Sequence, residues 1–220
     1  MPKVIVLAAG SGERWNNYRG TPKHFLNVEG EVLIERTIRQ FSRYTDDILV
    51  VGSGQEYSFS NTSLFIPAVT DTDVLFGDML KFYSSMHLWS DVRTVLVFGD
   101  VYFTDDAVSR IMSSDLDFTF LLRSNSQGQA GGRREVFALS FKGSMNQVIS
   151  DAILKHIKGR SAPRAGGWFL YKSLVRPNYV YNNNHIDIDD WTTDFDYPDD
   201  IELWESRRAD YLYTLPKSSS

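Results

Sequence analysis

The strongest chemical signal in the chain follows a short apolar run near its start. Val4 to Ala9 stops at Gly10-Ser11-Gly12-Glu13-Arg14, and Pro22-Lys23 comes nine residues after the arginine. Glycines placed after a buried strand let the backbone turn tightly and present N–H groups to an anion. Arg14 adds a planar, permanently charged fork suited to phosphate oxygens, and Lys23 adds a compact point charge. The set reads as a polyphosphate cradle. Its spacing excludes two commoner glycine loops. A dinucleotide fingerprint needs a third glycine where Trp15 stands, and the Gly-Lys-Ser/Thr of a P-loop occurs nowhere in the chain.

Acidic residues gather at two further places. Asp100 follows the apolar run Thr94 to Phe98 after one glycine, Gly99, where a carboxylate serves either as a turn residue or as a ligand. A denser group runs from His185 through Asp187, Asp189, Asp190, Asp194 and Asp196 to Asp199 and Asp200. Carboxylates this close repel one another unless water or a cation intervenes, so the run is either an exposed acidic loop or part of a cation site. The four histidines are scattered, and no Ser-His-Asp arrangement is legible. Arg133 and Arg134 follow a Gly-Gly pair, and Arg164 precedes another.

These residues need a scaffold, and the pattern predicts α/β architecture. Val4 to Ala9, Ile48 to Val51, Leu64 to Val69, Thr94 to Phe98, Asp117 to Leu122 and Glu135 to Phe141 read as strands, several buried on both faces. Helical spacing separates them, at Leu33 to Phe41, at Leu75 to Trp89 with Asp73 as a cap, and in a helix capped by Thr104. It returns at Met145 to Ile157, at Ala165 to Val175 and at Pro198 to Arg208. The alternation predicts a mostly parallel sheet with helices on both sides, whose ligands bind at the carboxyl ends of its strands.

The chain's 220 residues suit one domain, expected over 1–215, with 216–220 as a frayed tail. A net charge of −5 gives no field toward nucleic acid or an anionic membrane, so a phosphate site must be a local basic cluster. The absence of cysteine removes thiolate nucleophiles and thiolate metal sites. The opening apolar stretch is shorter than the roughly 7 to 15 residues of a signal-peptide core, and no run approaches the roughly 20 needed to cross a bilayer. A cytoplasmic protein is expected, and a second copy of the chain is admitted as a partner.

The segments LAAGSGERW and TPKHFLNVEGEVLIERTI resemble the signature of the nucleotidyltransferases that make nucleoside-diphosphate sugars and related compounds. That superfamily includes the molybdenum-cofactor guanylyltransferases and the methylerythritol-phosphate cytidylyltransferases. FGDVYF and DFDYPDDIELW are similar to its later motifs. The resemblance implies a three-layer Rossmann-like fold of the glycosyltransferase-A type. It implies transfer of a nucleoside monophosphate from a nucleoside triphosphate to a phosphorylated acceptor, with a sugar 1-phosphate the leading acceptor. Mg2+ would support the reaction, with Mn2+ as a substitute.

By the same resemblance Leu7, Ala8, Ala9, Gly10, Ser11, Gly12, Arg14 and Lys23 contact the nucleotide, and Arg14 and Lys23 act on its phosphates. Asp100 and Asp196 are the implied metal ligands. Asp194 is the alternative to Asp196, because Tyr197 stands where the family often has threonine. Arg133, Arg134 and Arg164 are candidates for the acceptor's phosphate, against the plainer role of keeping a surface soluble. The segment aligned with base reading is Thr70 to Asp78, and cytidine and uridine lead by analogy. A metal-dependent glycosyltransferase and a non-catalytic nucleotide-binding domain are the competing readings.

Overall fold

A computed structural model describes residues 1–10, 12–68, 79–125, 129–130, 133–159, 166–175 and 184–214. Strand β1 (Lys3–Ala8) is followed by a hairpin of β2 (Asn27–Val28) and β3 (Glu31–Val32), which turns through Glu29 and Gly30, both with positive φ. Next come α1 (Leu33–Phe41), β4 (Ile48–Gly52), β5 (Ser63–Phe65) and α2 (Met79–Ser85). The chain continues through β6 (Arg93–Phe98), β7 (Val101–Tyr102), α3 (Asp105–Met112), β8 (Phe118–Arg123), β9 (Glu135–Lys142), α4 (Asn146–Gly159) and α5 (Gly167–Val175). It closes with β10 (His185–Asp187), β11 (Thr193–Asp194) and α6 (Pro198–Thr214).

Among the described residues seven strands form one sheet in the order β10-β8-β9-β6-β1-β4-β5. Every pairing in it is parallel except the two made by β9, which runs antiparallel to β6 and β8. The non-alternating apolar runs lie in its middle because both faces are covered. Along β1 the period of two divides the core. Val4, Val6 and Ala8 pack with Ile34, Phe41, Val108 and Ile111 of α1 and α3, while Ile5, Leu7 and Ala9 pack with Phe82, Ile149, Ile153 and Leu170 of α2, α4 and α5. The result is the three-layer α/β architecture expected from the alternation. Among the described residues no helix is long and apolar enough to cross a membrane.

Several boundaries differ from the sequence expectations. The strand expected at Leu64 to Val69 is confined to Ser63–Phe65, and the helix expected from Leu75 is described from Met79, with Asp73 and Leu75 outside the described residues. Within the acidic run, β10 forms a parallel edge against β8. Its Ile186 joins the core while His185 meets Tyr171 edge-on, an alternation too short to register as a strand in sequence. Thr104 caps α3 as expected, its hydroxyl accepting the Ala107 N–H at 3.1 Å. Helix α6 runs to Thr214, past the expected end at Arg208, and Ile201 and Trp204 are its buried residues.

Arg123 at the end of β8 is only 1% exposed and reaches across the molecule. Its guanidinium donates to the Arg133 carbonyl at 3.0 Å, the Thr192 carbonyl at 3.1 Å and Thr193 Oγ1 at 3.2 Å, and it lies 5.3 Å from the Phe137 ring centre. It therefore ties the entry to β9 and the start of β11 to the sheet. Replacing it with methionine leaves those acceptors without a donor, so Arg123→Met should lower the unfolding free energy by about 3 kcal/mol. Urea denaturation followed by tryptophan fluorescence measures this, and a loss below about 1 kcal/mol would show that the acceptors find other partners.

Candidate active site

The parallel registers of β1 with β4 and β6 place their carboxyl ends on one edge of the sheet. Leu7 lies opposite Phe98, and the Gly99 N–H donates to the Leu7 carbonyl at 3.0 Å, so the Gly10 loop and Asp100 leave the sheet side by side. Asp100, 8% exposed, opens a second pairing. β7 runs antiparallel to β11, with Asp194 opposite Val101, and the Phe195 N–H donates to the Asp100 carbonyl at 3.1 Å. This small ribbon carries Asp196 to the side of Asp100.

Lys23 occupies the junction. It begins a single helical turn after Pro22, is 6% exposed, and donates from Nζ to Asp100 Oδ2 and, at 3.3 Å, to Asp196 Oδ1. Arg14 grips Asp196 with a fork, Nη1 lying 2.7 Å from Oδ2 and Nη2 donating to Oδ1 at 3.1 Å. The loop between the two cations is pinned by Trp15, the residue that breaks the dinucleotide fingerprint. Its ring is 1% exposed, packs with Leu26, Phe195 and Trp204, and donates from Nε1 to the Thr21 carbonyl at 2.9 Å. Gly12 takes a φ of 64°, where a side chain would be strained.

The local field follows from these contacts. Burial works against ionised Asp100, but the Lys23 ammonium, then Lys81, and the hydrogen bond from Lys23 outweigh it and hold the carboxyl well below the usual carboxylate range. Asp194 behaves in the opposite way. Loss of solvent, then repulsion from Asp196 and Asp100, pushes it up to about 7 against the opposing pull of Arg123. The donor chemistry fits a hard divalent cation: two carboxylates already converge on one positive centre, and a third is destabilised by their charge. Among the described residues no three His, Asp or Glu side chains form a metal-holding group by themselves.

Other expected residues sort themselves around this centre. Leu7, Ala8 and Ala9 are buried where the sheet ends. Arg133 lines an open cleft with Ala130, Glu135, Asp194, Asp196 and Asp200, and its guanidinium lies over the Tyr197 ring at 4.7 Å from the centre, as that of Arg14 does at 5.4 Å. The two guanidinium groups beside it hold the Tyr197 phenol below its ordinary value. Arg134 is exposed and is not among the residues lining that cleft. Ser11, Arg164 and the segment 70–78 lie outside the described residues.

Asp187, Asp189 and Asp190 fasten loops. They accept from the Ser124, Gln129 and Thr192 backbone N–H groups at 3.0, 2.7 and 2.7 Å. Sequence reading missed Lys81 and the bridging part of Tyr197. Lys81 carries no periodic signal, whereas the mismatch of Tyr197 with the family pattern was visible without its meaning.

Comparison with known proteins bears on the family and the fold. The model of the MobA-like NTP transferase domain matches residues 4–133. The 2-C-methyl-D-erythritol 4-phosphate cytidylyltransferase of Symbiobacterium thermophilum is 27% identical over 160 residues, covering 72% of this chain and 62% of that relative's length. Among solved structures, 2-C-methyl-D-erythritol 4-phosphate cytidylyltransferase from Thermus thermophilus aligns with a TM-score of 0.62 at 14% identity, over 94% of this chain and 98% of that one. CTP:phosphocholine cytidylyltransferase from Streptococcus pneumoniae aligns at 0.59 with 14% identity, over 93% of this chain and 98% of that one. These structural likenesses carry the fold.

His24, next to Lys23, is 3% exposed and shares a 2.9 Å hydrogen bond between Nδ1 and the Tyr57 hydroxyl. Burial, aided by Lys23 and Lys81 and partly opposed by Asp100, pushes its pKa from 6.5 down to about 3. The unfolded chain therefore takes up a proton that the folded chain refuses. The contribution of His24 is complete above pH 6.5 and is lost as the pH falls toward 3, with a slope of up to about 1.4 kcal/mol per pH unit. Urea melts between pH 7 and 4.5 should show a flatter loss of stability in His24→Gln than in the parent. Parallel pH profiles would assign the acid sensitivity to other groups.

Proposed function

The chain belongs to the MobA-like NTP transferase domain family, and from that membership we propose that it transfers a nucleoside monophosphate from a nucleoside triphosphate to a phosphorylated small molecule, releasing pyrophosphate. One observation supports this above the others: Lys23 is shared by Asp100 and Asp196, with Arg14 on the same Asp196, at the mouth of the glycine loop. A clamp of two cations suits a triphosphate, whereas a glycosyltransferase acting on a nucleotide sugar has no use for it.

In the proposed reaction an acceptor phosphate oxygen attacks the α-phosphorus. The bond from that phosphorus to the bridging oxygen of the β-phosphate breaks, and its electron pair leaves with pyrophosphate. The attacking oxygen is already anionic, so no protein base is required and catalysis reduces to alignment and charge neutralisation. The Gly10 to Gly12 backbone and Arg14 hold the β- and γ-phosphates, and Lys23 stabilises charge growing at the α-phosphate. Asp100 and Asp196 would hold Mg2+, which would supply neutralisation of the phosphates' charge. Arg133, braced by Tyr197, receives the acceptor's phosphate. The cytidylyltransferases among the similar proteins support CTP as the nucleotide, and a sugar 1-phosphate is the first acceptor to test.

Incubation with CTP, UTP, ATP or GTP, Mg2+ and a panel of glucose 1-phosphate, methylerythritol 4-phosphate and phosphocholine should release pyrophosphate, fastest with CTP. Release with none of the triphosphates would sink the proposal. Arg14→Ala and Lys23→Ala should each slow turnover about 10²- to 10³-fold. Lys23 is buried, so melting curves accompany that variant to separate chemistry from stability. Chelator should abolish turnover and Mg2+ or Mn2+ restore it, while Asp100→Asn should lose the metal-supported rate. Arg133→Ala should raise the acceptor's KM and leave that of the nucleotide nearly unchanged; equal weakening of both would identify a closing loop instead.

A further inference from the structure

We propose that Lys81 is a third cation of the nucleotide site, reaching from α2 across Gly10 to bind the phosphate chain; this rests on the nucleotidyltransferase reading above. A β-carbon added at Gly10 would stand 3.0 Å from both Cε and Nζ of Lys81, so the end of this side chain lies on the backbone of the glycine loop. The helix beneath it is fixed, since Met79, Leu80 and Phe82 are buried, and Lys81 itself is half-buried. A lysine serving only as a solvated helix residue would extend its ammonium away from the sheet.

Gly10 supplies the second observation. Positive φ among glycines occurs at Gly12, Gly20 and Gly30, so the backbone at position 10 does not require glycine for its own conformation. What it provides is space, and the tip of Lys81 occupies that space. Lys81 also acts on the same field as the central cluster, drawing down Asp100 and His24. Lys81 adds positive charge on the glycine-loop side, where the phosphates of a bound triphosphate would lie. Gly10 and Lys81 therefore act as one unit, a residue without a side chain making room for a residue with a long one.

Calorimetric titration of the full chain with inorganic triphosphate, CTP, UTP, ATP, GTP and cytidine tests this. Lys81→Met should weaken both triphosphate and CTP about tenfold, the effect expected for one charge-assisted contact, and leave cytidine unchanged. Lys81→Arg should recover most of the loss. Gly10→Ala should weaken the same two ligands in the parent and add little in the Lys81→Met background, because the methyl group acts by displacing the ammonium. Equal affinities in parent and Lys81→Met would overturn the inference alone. Weakened CTP with unchanged inorganic triphosphate would overturn it in favour of base contact. A parent that binds none of the four nucleoside triphosphates would overturn the nucleotidyltransferase reading itself.

Discussion

Two carboxylates that lie far apart in the chain, Asp100 and Asp196, meet around one buried ammonium, and the arrangement of the site depends on that meeting. Like charges in a poorly solvated place repel strongly unless a cation stands between them, and removing one partner of such a set leaves a buried charge uncompensated. Lys23 is therefore as much a condition of the fold here as a functional group. It can reach the junction because parallel pairing of β1 and β6 ends both strands on the same edge, and because the β7–β11 ribbon folds the C-terminal segment back onto that edge.

Apolar packing sustains this ionic centre. Trp15, Leu26, Tyr102, Trp191, Phe195, Ile201 and Trp204 form a cluster that joins the loop after β1 to the start of α6. Polar contacts between the same two regions lie outside it: Tyr18 donates to Glu202 at 2.6 Å, Arg19 pairs with Glu205 at 2.9 Å, and Arg208 pairs with Glu29 at 2.9 Å. Exposed pairs of this kind contribute about 0 to 1 kcal/mol each, so they set the register of α6 while the aromatic cluster supplies most of the adhesion. The loop bearing Arg14 is thus held from both ends.

Much of this was legible in the sequence because the signals are local. Apolar runs marked β1, β4, β6, β8 and β9, helical spacing marked α1 and α4, and Gly10, Arg14, Pro22 and Lys23 pointed to phosphate chemistry, while Asp100 alone stayed open between a turn residue and a ligand. What stayed hidden depends on tertiary pairing. β7 and β11 are two residues long and β10 three, too short for any periodicity, and they exist because neighbouring backbone stands ready to pair. The acidic run read as one group, but the fold separates Asp187, Asp189 and Asp190, which fasten loops, from Asp194 and Asp196, which face Asp100. Lys81 was invisible because its reach is set by where α2 docks, which no spacing within the helix encodes.

The distribution of charge along the chain gives the site its direction. Arg14, Lys23 and Lys81 come from its first half and stand beside the glycine loop, whereas Asp194, Asp196 and Asp200 come from its last part and line the cleft with Glu135 and Arg133. The sheet brings a basic side and an acidic side together along one line, with Asp100 and Lys23 at the contact between them. Under the proposed function an anionic chain would be drawn to one side and a cation to the other, so the opposite charges of a metal-bound polyphosphate would have separate places before any part of the protein moves. Preorganisation of this kind is what the proposed transfer needs, since its barrier lies in bringing two phosphates together rather than in making a nucleophile.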